Sequence, residues 1–115
     1  MNKKLLFTLC LLSFNGFAYD PVDCVRDLVR EAPKTINSIA IRLCSGATSP
    51  EPVKCYVRIS TVIDRTITVG LLASLCGGTT NADKTLTCYD KAFNRGIFNR
   101  GESIDLCSSR YSESK

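Results

Sequence analysis

Apolar residues follow three of the cysteines on a helical beat. Positions +1, +4, +5 and +8 after Cys24 are Val25, Leu28, Val29 and Ala32. After Cys55 the same positions hold Tyr56, Ile59, Ser60 and Ile63, and after Cys88 they hold Tyr89, Ala92, Phe93 and Gly96. That spacing lines one face of an α-helix. Charges fall between: Arg26 and Asp27, then Arg58, then Asp90 and Lys91. Counting back from Cys44, Cys76 and Cys107, a leucine stands at −1 each time: Leu43, Leu75 and Leu106. Ile39, Leu71 and Leu72 stand a turn earlier, so each segment predicts a second amphipathic helix.

The text around the cysteines repeats as well. Pro21-Val22-Asp23-Cys24-Val25 matches Pro52-Val53-Lys54-Cys55-Tyr56, and more loosely Leu86-Thr87-Cys88-Tyr89. The spacing of 31 to 33 residues between copies is that of a repeated supersecondary unit. Pro21 and Pro52 suit a first helical turn, which needs no amide hydrogen. Gly46 and Gly78 lie two residues past a closing cysteine, where a left-handed cap belongs. Asn99-Arg100-Gly101-Glu102 resembles a capping box. Pro33, Asp64 and Gly96 mark turns between helices. The expected fold is all-α: three tandem αα-hairpins stapled by disulfides, six short helices in all. The repeats cover about 21–46, 52–78 and 85–109 of one small domain, 19–115.

One segment resists this pattern. Ile59 to Val69 is rich in β-branched residues and alone would pass as a strand. The matching segments of the other copies are helical, and the repeat argues that this one is too.

Export changes the picture of the cysteines. Lys3 and Lys4, an apolar run from Leu5 to Phe14, and Gly16-Phe17-Ala18 read as a signal peptide over residues 1–18. The apolar run is too short to span a membrane, and no later stretch is long and apolar enough. Losing Lys3 and Lys4 lowers the net charge from +4 to +2, too balanced to argue for nucleic acid. The expected location is the periplasm or the outside of the cell. Cys10 leaves with the signal. The other six, Cys24, Cys44, Cys55, Cys76, Cys88 and Cys107, would then sit in an oxidising compartment.

Two pairing schemes are open. In an antiparallel hairpin the start of the first helix lies beside the end of the second. This favours Cys24–Cys44, Cys55–Cys76 and Cys88–Cys107. The rival scheme joins Cys44 to Cys55 and Cys76 to Cys88 across the connecting loops, with Cys24–Cys107 closing the array. The unit looks like the twin-cysteine hairpins of the mitochondrial intermembrane space. It also looks like Sel1-type repeats, and it shares the helix-and-disulfide design of saposins. Its cysteine spacing departs from all three, so no function is carried over.

Little in the sequence points to chemistry. Histidine is absent and no Cys-x-x-Cys occurs, so neither a metal nor another cofactor is expected. A cysteine or serine nucleophile would lack its usual base. Asp23 with Asp27 and Glu102 with Asp105 are carboxylate pairs on a helical face, a common surface arrangement. Gly78 to Thr85 nearly spells a phosphate loop, but Asp83 stands where the second glycine belongs. No enzymatic activity is expected. Asn94-Arg95-Gly96-Ile97-Phe98-Asn99-Arg100-Gly101 is a small duplication at a hairpin tip. Arg95, Ile97, Phe98 and Arg100 are the candidate contact for an unknown protein partner. Arg100 is expected to be exposed, and Tyr56 and Tyr89 are expected at the edge of the core. The leading function is thus an exported, non-enzymatic interaction module. The alternative is an amphipathic, membrane-active or lipid-binding protein.

Overall fold

A computed structural model describes residues 18–109, so the expected signal peptide lies outside the described residues except for Ala18. The described chain is all-helical and contains no strand. Helix α1 spans Pro21–Glu31, α2 Asn37–Cys44 and α3 Glu51–Arg58. Helix α4 spans Val69–Cys76, α5 Ala82–Tyr89 and α6 Arg100–Cys107. Helices α3 and α5 each run on into a π-helical turn, Ile59–Ile63 and Asp90–Asn94.

The ends form where side chains can replace missing helical hydrogen bonds. Asp20 accepts from the Asp23 amide at 3.0 Å, and Asp23 accepts from the Asp20 amide at 3.1 Å. This reciprocal box opens α1. The box expected at Asn99 and Glu102 opens α6, with bonds of 2.8 and 3.0 Å. Helix α5 is capped by Asn81 and also from the preceding unit: Glu51 Oε1 accepts from the Ala82 amide at 2.7 Å. That bond holds the Glu51 carboxyl below its usual range. Gly46 and Gly78 have φ of 75° and 83°, the left-handed geometry that closes α2 and α4.

Only the first half of the β-branched run is helical: Ile59–Ile63 form the π-helical turn, residues 64–68 connect it to α4, and no part of the run forms a strand. The Ser60 hydroxyl donates to the Tyr56 carbonyl at 2.9 Å, and Thr61 donates to the Val57 carbonyl at 2.7 Å. Those carbonyls are the acceptors an α-helix would offer to the amides of the same two residues. Residue Asp64 then donates its amide to Ile59, five residues back, at 2.7 Å. The turn therefore widens instead of unwinding into a strand.

Disulfides join Cys24 to Cys44, Cys55 to Cys76 and Cys88 to Cys107. Each clips a helix to the next one in the chain. In the chain-entropy account, closing loops of this length is worth about 3 kcal/mol each. Three disulfides in so small a chain fit a location outside the reducing cytosol. The helices pack in two layers. Helices α1, α3 and α5 follow one another in one layer, and α2, α4 and α6 in the other. The core between the layers contains Leu28, Leu43, Ile59, Leu72, Leu75 and Tyr89 with most of the cysteines.

Four positions of the expected stripes are exposed: Val29, Leu71, Gly96 and Leu106. Leu106 is informative, because its equivalents Leu43 and Leu75 are fully buried. It sits in the third unit, and no further unit stacks on that one among the described residues. Ser103 is buried without a hydrogen-bond partner among the described residues, at the place held by Ala40 and Leu72 in the other units.

Candidate interaction surface

The turn after α3 ends on Asp64, a buried carboxylate. It is satisfied from the third unit. The Arg100 guanidinium donates from Nε to Oδ2 and from Nη2 to Oδ1, both at 2.7 Å. The Tyr89 hydroxyl donates to Oδ2 at 2.7 Å. Arg100 also reaches Thr66 Oγ1 at 2.5 Å. Its guanidinium carbon lies 4.9 Å above the Phe93 ring, and that ring stacks on Tyr89 at 5.4 Å. The fork fits both carboxylate oxygens and one aromatic face at once.

This clamp shifts its members in opposite directions. The Arg100 hydrogen bonds, helped by the Tyr89 hydroxyl, outweigh burial and hold the Asp64 carboxyl at about 2. Burial and the bond to Asp64 push the Tyr89 phenol up. Asp64 therefore stays ionised and Tyr89 stays a donor at any ordinary pH. The network joins the α3–α4 turn to α5 and to the start of α6.

The structure thus separates the four tip residues. Arg100 is half-buried and turned inward, and not exposed as the tip duplication suggested. Arg95 lies at the surface 3.5 Å from Asp90. Ile97 is 90% exposed, and Phe98 is partly exposed. Gly96 lets the chain turn closely here: a Cβ would stand 2.6 Å from the Ala92 carbonyl oxygen and 2.8 Å from that of Lys91.

Phe98 also forms part of an open groove of about 770 Å³ along α5 and α6. Leu106 and Ala92 share its lining, with Lys84 and Lys91 beside them. Sequence reasoning missed this groove, because Leu106 reads as one more core leucine. The available signal was positional: it belongs to the last unit.

Three of the four paired carboxylates, Asp23, Asp27 and Glu102, have structural partners. Asp23 completes the α1 cap and pairs with Arg26 at 3.2 Å. Asp27 accepts from the Tyr19 hydroxyl at 2.7 Å and pairs with Arg30 at 2.9 Å. The Tyr19 bond leads in lowering the Asp27 carboxyl. Glu102 serves the α6 cap, while Asp105 is exposed. In the Gly78–Thr85 connection, the Thr79 and Thr85 hydroxyls meet at 2.8 Å. Tyr56 and Tyr89 are both buried. Among the described residues no group of histidine, cysteine or acidic side chains could hold a metal ion. No helix among them is long and apolar enough to cross a membrane. The chain matches no family model, no curated protein and no solved structure.

Proposed function

We propose that the mature chain is an exported, non-enzymatic interaction module, acting in the periplasm or outside the cell, and that the third unit carries its contact surface. The observation that supports this reading is the exposure of Ile97, Phe98 and Leu106 together on that unit, beside Lys84, Lys91 and Arg95. Partly exposed aromatic and aliphatic side chains with a charged rim are the usual makings of an interface. The Asp64–Arg100 clamp and the Cys88–Cys107 bridge hold the surface in a fixed shape. A rigid surface pays little ordering entropy when a partner binds.

The test is capture of envelope proteins by the immobilised, oxidised chain. Ile97→Ala combined with Phe98→Ala is expected to reduce capture at least tenfold. Helical circular dichroism should be unchanged, since both side chains are exposed in part or in full. Arg95→Ala, at the rim, is expected to weaken capture less. Full capture by the double variant with an intact fold would remove the tip from the contact surface.

A further inference from the structure

The two ends of the helical stack expose the residues that the inner junctions bury. Two repeat positions face the preceding unit. The residue two before the opening cysteine is Val53 in the second unit and Leu86 in the third, 4% and 6% exposed. The residue three before the closing cysteine is Ala73 in the second and Ile104 in the third, both buried. The first unit has Val22 and Ile41 at these positions, 63% and 62% exposed. Their neighbourhood is an apolar groove with Val25 and the edge of Cys44.

A third position is covered only where another unit follows: Leu43 and Leu75 are fully buried, while Leu106 in the third unit is 55% exposed. The seam between the first two units places Val53 against the preceding unit. Asp27 and Glu31 of α1 line one side of it, and Val53 and Val57 of α3 line the other.

Repeat arrays that end at their own termini present a polar outer face on the last unit. This chain does the reverse at both ends. We propose that a second copy of the chain occupies each end, stacking head to tail so that its Val22 and Ile41 cover Leu106 of the first. The inference rests on reading the chain as an interaction module, and it names the partner of the α5–α6 groove.

The two ends continue the pattern of the internal junctions. The −1 leucine is fully buried in the two units that another unit follows, and the −2 and −3 positions are buried in the two units that another precedes; the ends of the stack carry these same positions exposed. The contact is heterologous, because the two faces differ. It therefore propagates into a chain of copies, or into a ring if the turn between copies closes. The groove's lysines at the rim do not oppose it, since the inner seams are also rimmed by charge, as with Arg58 and Asp83 at 2.7 Å.

The experiment is sedimentation velocity of the purified oxidised mature chain over a wide concentration series. Mass is expected to rise with concentration past the dimer, without limit for an open chain of copies or to a plateau for a closed ring. Val22→Asp and Leu106→Asp each destroy one face and change an exposed residue, so the fold should stand in circular dichroism. Each variant alone is expected to be monomeric, with association weakened at least tenfold. An equimolar mixture of the two should recover association and stop at a dimer of one copy of each, because only one complementary pair of faces remains. Ile41→Asp repeats the first-unit arm should Val22→Asp fail to fold.

A wild-type chain that stays monomeric at every concentration would overturn the proposal. So would a mixture that fails to pair while wild type associates, which would mean a symmetric contact. Monomeric wild type that binds phosphatidylcholine–phosphatidylglycerol vesicles through Leu106 would assign the ends to lipid instead, and overturn it equally. Loss of envelope capture by the Ile97 and Phe98 double variant would survive any of these results. The wider reading and this one therefore fail separately.

Discussion

At the scale of single residues, Asp64 is the most consequential charge in the chain. It is buried, ionised and held by Arg100, Tyr89 and Thr66. Its carboxyl titrates at about 2 when folded, against roughly 3.9 in an unfolded chain. Because the folded value is depressed, the stability it supplies is complete above about pH 4 and is lost as pH falls toward about 2. The linkage amounts to roughly 2–3 kcal/mol. Denaturant unfolding of wild type and Asp64→Asn should therefore differ most near neutral pH. The gap should narrow by about 2 kcal/mol on going to about pH 2. A gap independent of pH would mean that the carboxylate is not the anchor. The sequence showed Asp64 only as a turn residue, because its partner lies 36 positions away. It also showed Arg95 and Arg100 as equals in a duplication, whereas the fold sends one to Asp90 and the other into the clamp. Charge pairing across units is a tertiary fact that local spacing does not carry.

At the scale of elements, the helices were legible and their irregular ends were not. The apolar stripes and the caps at Asn99, Gly46 and Gly78 are local, and local signals set where helices start and stop. The π-helical turn at Ile59–Ile63 depends on which hydroxyl reaches which carbonyl, so the β-branched run gave a competing strand signal. The second π-helical turn, Asp90–Asn94, leads into Gly96, and the close carbonyls of Lys91 and Ala92 explain why a side chain does not fit there. Gly96→Ala should destabilise the protein by about 1–3 kcal/mol, the usual cost of forcing atoms into a packed site. Gly101 offers the contrast. Its added Cβ would meet nothing closer than Asn99 Oδ1 at 3.6 Å, in the first turn of α6. Gly101→Ala should be neutral or stabilising by about 0.5–1 kcal/mol, through the lower entropy of the unfolded chain. Thermal melts of the two variants check both signs; an unchanged melt for Gly96→Ala would show that the turn there is not tight, and a loss in Gly101→Ala would overturn the contrast.

At the scale of the whole molecule, the number of units was legible from the cysteines, but which faces meet was not. A single unit's stripe cannot say whether its −1 leucine is covered, since that depends on a following unit. Leu106 is exposed for that reason, and the same asymmetry reaches the disulfides. Cys24, Cys44, Cys55 and Cys76 are buried, while Cys88 and Cys107 are each partly accessible beside the open groove. Thiol–disulfide exchange requires a thiolate to reach a sulfur. A limiting thiol reductant on the dilute native protein should therefore open Cys88–Cys107 first. Alkylation and peptide mapping at timed intervals would find Cys88 and Cys107 labelled well before the other four. Early labelling of Cys55 and Cys76 would mean that opening follows global unfolding rather than access. Concentration then becomes a second variable. If the last unit is covered by the first unit of another copy, reduction of Cys88–Cys107 should slow as protein concentration rises. The other two bridges should keep their rates, because they are already buried. In Leu106→Asp the slowing should disappear, while the order of opening stays the same.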